Sequence, residues 1–152
     1  MPDSLRADRI APTDGASTVA GMSQRLPSSA NVVLKGIREE PSAEDGARVL
    51  VDRLWPRGVS KERAALDEWA KDATPTTELR RAFHSGDLPW PQFVEAYRTE
   101  LTESPEAVAA VEHLRHKALK GRVTLLFAGH DHVHCHARVL REAVLGVEED
   151  LT

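Results

Sequence analysis

The chain predicts a compact, layered α/β domain with a small, partly parallel sheet, several helices and a disordered N-terminal tail. Three observations carry this. Two short apolar runs, Val32 to Ile37 and Val49 to Leu54, are separated by turn-forming residues. A third run, Val123-Thr124-Leu125-Leu126-Phe127-Ala128, lacks the alternation of a half-exposed strand and reads as one buried on both faces. Between and after these lie segments with apolar residues three and four apart, the spacing of amphipathic helices packed on a sheet.

Taken in order, residues 1 to 30 are rich in Ser, Ala, Thr, Asp and Pro and have no apolar period. They read as a disordered tail, with residues 31 to 152 forming a single α/β domain. The tail has no apolar core of a secretory signal, and Asp3, Asp8 and Asp14 count against a transit peptide. Order begins near Asn31 with the first strand, Val32 to Ile37. The segment Pro41-Ser42-Ala43-Glu44-Asp45-Gly46 turns the chain into the second strand, Val49 to Leu54. A helical region follows in which Leu66, Trp69 and Ala70 share a face, Thr74-Pro75 suits an N-cap and first-turn pair, and Leu79 and Phe83 fall four apart. Trp90-Pro91 starts a helix carrying Phe93, Val94, Tyr97 and Leu101 on one side. Ser104-Pro105-Glu106 opens another, with Val108, Val111 and Leu114 inward and Gly121 as its stop. After the third strand, Val133, Ala137, Leu140 and Val144 form an apolar stripe, with Asp131 as N-cap of the last helix.

Composition argues against several classes of function. A formal charge of -4 lacks the basic excess that holds a protein to nucleic acid. No apolar run approaches the roughly 18 residues of a membrane span. The lone cysteine, Cys135, excludes an intramolecular disulfide. The expectation is a cytoplasmic protein with no membrane partner, and the sequence assigns neither a cofactor nor an oligomeric state.

In parallel α/β sheets, ligands gather beyond the carboxyl ends of the strands, where loops and helix N-termini converge. Two segments qualify: Asp52 to Gly58 after the second strand and Gly129 to His136 after the last. In the first, Arg53 and Arg57 suit an anion clamp, because the guanidinium fork matches carboxylate and phosphate oxygens. Trp55 can stack on a planar ligand or pack as a structural corner with Pro56. Asp52 can serve as a general base, although strand alternation places it opposite Arg53, where it would orient Arg57 or a helix N-terminus. In the second segment, His130, His132, His134 and His136 suggest metal. With a helix beginning at His132, however, His132 and His136 share a face while His134 points away. Cys135 at a helix N-terminus gains thiolate character and suits a nucleophile, yet a lone cysteine also serves as an inert small hydrophobe. His84, His113 and His116 read as isolated surface positions.

The run Val51-Asp52-Arg53-Leu54-Trp55-Pro56-Arg57-Gly58-Val59-Ser60-Lys61, with Leu66-Asp67-Glu68-Trp69, Thr77-Glu78-Leu79-Arg80 and Phe93-Val94-Glu95-Ala96-Tyr97-Arg98, resembles the YeaO-like branch of domain-of-unknown-function family 488. The resemblance covers roughly residues 32 to 145 and includes Asp131, His134 and His136. It gives weight to Asp52, Arg53, Trp55 and Arg57 and implies no particular activity. The branch usually has Asn where Cys135 stands, and a wider branch has a Cys-His-Arg triplet that Cys135-His136-Ala137 meets only in part. His130 and His132 replace other polar residues of the branch, so the His-rich look is particular to this chain.

These readings combine into one expectation. A crevice formed by Arg53, Trp55, Arg57, Asp131 and His134 binds an anionic small molecule of phosphate or carboxylate type. Tyr97 and Arg98 would contribute from the helical insertion, and Asp52 or His136 would act as acid or base if the protein is an enzyme. The competing class is a non-catalytic module that binds metal or another protein.

Overall fold

A computed structural model describes residues 25 to 151. Strands β1 (Val32–Gly36), β2 (Ala47–Leu50), β3 (Glu68–Trp69) and β4 (Val123–Phe127) form a four-stranded sheet of order β1-β4-β2-β3. Every pairing is parallel. The helices are α1 (Lys61–Ala64), α2 (Thr77–His84), α3 (Trp90–Glu103), α4 (Pro105–Lys120) and α5 (His136–Leu145).

The unbroken apolar run of β4 follows from its central place. It pairs with β1 from Val32↔Val123 to Gly36↔Phe127 and with β2 from Ala47↔Val123 to Leu50↔Leu126, so all five of its residues are buried. Thr124 is tolerated there because its hydroxyl donates to the Asp45 carbonyl at 2.7 Å. One face of the sheet packs against α3, α4 and α5 through Phe93, Tyr97, Leu114, Leu125 and Leu140. The other face carries a smaller cluster of Ile37, Leu50, Val59, Ala64 and Leu126, closed by Trp55 and Trp69. Since all strands run the same way, the chain leaves β1, β2 and β4 at one end of the sheet.

Helix starts marked by proline are as expected: α3 and α4 both carry Pro in their first turn, and α4 ends at Gly121. Four local expectations are corrected. The segment around Leu66 to Ala70 is not helical, because Glu68 and Trp69 pair with Val49 and Leu50 as a short edge strand. The cap of α2 is Thr76, whose hydroxyl receives the Leu79 N–H, whereas Thr74 ends the preceding 3-10 turn Lys71–Ala73. Val108 is 37% exposed, while Val111 and Leu114 point inward. The last helix begins at His136, not near His132, which leaves Val133 outside the apolar stripe and 60% exposed.

The disordered tail read from the sequence lies, for residues 1 to 24, outside the described residues. Of the next few, Pro27 is buried, Ser29–Asn31 form a 3-10 turn capped by Ser28, and the Asn31 side chain donates to the Ala118 carbonyl at 2.8 Å. Among the described residues no helix is long and apolar enough to cross a membrane.

Candidate functional site

The two loops singled out in the sequence face one another across a crevice of about 550 Å³. One wall is the β2–α1 loop from Asp52 to Arg57, and the other runs from Ala128 to His136 between β4 and α5. Part of α2 with Pro75 and Phe93 completes the lining. The volume falls within the roughly 300–1,000 Å³ of typical small-molecule sites.

Asp52 ties the walls together. Its Oδ2 accepts the Ala128 N–H at 2.8 Å, and its Oδ1 lies 3.2 Å from His136 Nε2. That same nitrogen lies 2.7 Å from the Val51 carbonyl. Both neighbours of Nε2 are acceptors, so Nε2 carries the proton and the ring is held against the end of β2. The expectation that alternation would turn Asp52 and Arg53 to opposite faces fails because β2 ends at Leu50. Both residues line the crevice from a loop.

Arg53 is committed largely to structure, with Nε donating to the Pro75 carbonyl at 2.9 Å and Nη2 to the Thr74 carbonyl at 3.4 Å. Arg57 differs. Its side chain is exposed, and among the described residues its guanidinium has no hydrogen-bond or ion-pair partner. Trp55 is chiefly a corner: its indole N–H donates to the Val59 carbonyl at 2.6 Å, and its ring meets Trp69 edge-on at 5.4 Å. Trp69 in turn donates to the Asp52 carbonyl at 2.6 Å.

On the opposite wall, Asp131 does not cap α5. Its Oδ1 accepts from the backbone of Val133 and His134, both at 2.9 Å, and closes a tight turn. Those bonds, His134 first and then Val133, hold its carboxyl below the usual range. His134 Nδ1 stands 3.3 Å from the second oxygen, and the ring rests 5.2 Å from Trp90. His132 turns away onto Phe127, 4.9 Å between ring centres. With His132, His134 and His136 facing three different neighbours, no three or more His, Cys, Asp or Glu side chains among the described residues converge as a metal site.

Cys135 is buried at the cap position of α5, and desolvation pushes its thiol up to about 11 despite N–H groups of Ala137 and Arg138 aimed at it. Tyr97 is core, its hydroxyl donating to the Ala73 carbonyl, with burial raising its pKa well above the ordinary phenol value. Arg98 lies elsewhere, paired with the buried Glu142 at 2.7 Å. His113 and His116 are exposed, and His113 contacts Glu68 at 2.9 Å.

Sequence reasoning missed three lining residues on one helix, Arg80, Phe83 and His84. Their i, i+3, i+4 spacing on α2 puts them on one face, a signal that was legible once α2 was known to border the crevice. Among the described residues the Arg80 guanidinium, like that of Arg57, has no partner. His84 lies below its ordinary pKa, first through burial and then through the charges of Arg80 and His136. Arg38 was also missed: it reaches from beyond β1 to donate to the Arg57 carbonyl at 2.8 Å and the Ala128 carbonyl at 3.3 Å, one on each wall.

Residues 31–150 match the family model described as "Inactive DUF488-N3 subclade". The chain is 40% identical over 112 residues to the uncharacterized protein YeaO of Escherichia coli (strain K12), covering 74% of this chain and 95% of that protein. It is 34% identical over 110 residues to the uncharacterized proteins Rv3073c of Mycobacterium tuberculosis (strain ATCC 25618 / H37Rv) and Mb3100c of Mycobacterium bovis (strain ATCC BAA-935 / AF2122/97). In both cases the match covers 72% of this chain and 90% of the relative. No solved structure matches. The protein therefore belongs to the DUF488-N3 subclade described as inactive, within the YeaO-like branch of family 488.

Proposed function

We propose that the crevice binds an anionic small molecule and does so without turning it over. The observation that carries this is that Arg57 and Arg80 both line the crevice and that neither guanidinium has an acidic partner among the described residues. Three arginines face two aspartates in the lining, and both aspartates are already engaged, Asp52 by Ala128 and His136 and Asp131 by its own turn. An unpaired guanidinium in a half-enclosed site is suited to phosphate or carboxylate, which it meets bidentately.

Binding without chemistry is supported by the state of the candidate catalysts. The Cys135 thiol is buried and neutral, and the Asp52 carboxylate and His136 Nε2 are engaged in holding the loops together. The family description points the same way. The expected clamp is thus Arg57 with Arg80, and Arg53 supports the wall. Isothermal titration with inorganic phosphate tests it. The Arg57→Ala, Arg80→Ala double variant should bind at least about ten-fold more weakly, the loss of one or two charge-assisted hydrogen bonds. Unchanged affinity in a folded double variant would refute the assignment.

A further inference from the structure

Resting on the anion reading, we infer that the ligand carries a planar heteroaromatic ring as well as its anionic group, so that a nucleoside monophosphate is the right size and chemistry. Each free guanidinium in the lining has a ring or apolar surface beside it in the chain. On α2, Arg80 and Phe83 are three residues apart on one helix face, and both line the crevice. On the β2–α1 loop, Arg57 follows Trp55-Pro56, which line the crevice too. An anion held by these arginines leaves the rest of its molecule to the apolar part of the lining, to which Phe83, Trp55 and Pro56 contribute.

The aromatic side of this slot is built rather than incidental. Phe83 is stacked on Phe93, 4.6 Å between centres at 29°, and Phe93 is stacked on Trp90 at 5.6 Å and 22°. Trp90 and Phe93 are buried and Phe83 lies against both, 5.7 Å from Trp90, so Phe83 is the half-exposed corner of a fixed aromatic cluster. Its orientation is therefore set before any ligand arrives. An inorganic anion would use only the arginine end of a space of about 550 Å³ and leave this apolar surface wet. A planar ring offers a π-face to Phe83, a contact that is tolerant of ring identity.

The test is isothermal titration of the whole protein with inorganic phosphate, ribose 5-phosphate, AMP and adenosine. AMP should bind at least about ten-fold more tightly than ribose 5-phosphate, in line with one aromatic–base stacking contact. In Phe83→Leu, which keeps apolar bulk, that advantage should vanish while phosphate binding persists; Phe83→Tyr should restore it. Equal affinities for AMP and ribose 5-phosphate, or an AMP advantage that survives Phe83→Leu, would overturn the ring assignment and leave the anion reading standing. If adenosine matched AMP, or if no anion bound, the anion reading itself would fail and this inference with it.

Discussion

At the scale of single residues, Cys135 shows two opposing influences with a clear winner. The first N–H groups of α5 favour a thiolate, but burial outweighs them and the thiol stays protonated. Native protein at pH 7.5 should therefore resist iodoacetamide and react fully once unfolded; labelling of the native state, read by mass spectrometry, would contradict this. The same shift has a pH signature. An unfolded thiol ionises near pH 8.5, whereas in the fold it does so at about 11. Stability contributed by keeping it neutral is whole below about 8.5 and is lost as pH rises towards 11, a loss that Cys135→Ala should reduce in denaturant titrations. His84 moves the opposite way. With its pKa lowered, burial first and Arg80 next, its proton should leave below the ordinary 6.5 in an NMR titration, and Arg80→Ala should shift that midpoint upward. No upward movement would mean that Arg80 does not face the ring.

Among elements, the connection after β1 has an influence out of proportion to its length. Arg38 bonds to both walls of the crevice, and its own carbonyl receives Arg63 Nη2 at 3.1 Å. Removing the guanidinium in Arg38→Ala should cost about 1 kcal/mol of stability in urea unfolding, as expected for exposed hydrogen bonds. It should also weaken phosphate binding several-fold by freeing Arg57's loop, and Arg38→Lys, which puts a single nitrogen in place of the two that donate, should recover little. Phosphate affinity unchanged in Arg38→Ala would show the walls to be held independently. The elements themselves were legible where backbone chemistry is local: Pro91 and Pro105 marked α3 and α4, and the unbroken run of β4 declared a doubly covered strand. They were illegible where a partner decides. Trp69 looked helical by spacing and is a strand because Leu50 lies beside it, and the helix expected from His132 waits until His136 because Asp131 spends its carboxylate on a turn. The crevice followed the same rule. Asp52 and Arg57 stood out by position after a strand, whereas Arg80 became visible only when the chain brought α2 across to them.

For the molecule as a whole, a formal charge of -4 surrounds a lining in which arginine outnumbers aspartate. Such a contrast concentrates favourable potential for anions at one place while the remaining surface repels them, an effect that salt screens. The far end of the chain belongs to this arrangement as well. The Trp90 indole N–H donates to the Leu151 carbonyl, and Leu151 is buried although the residues just before it are exposed. Trp90 packs against both Phe83 and Phe93 in the aromatic cluster and also supports His134. A peptide appended after Leu151 therefore pulls on the anchor of the crevice's ring-bearing wall, so an affinity handle or fluorophore placed there would report on, and disturb, the site more than its distance in sequence suggests.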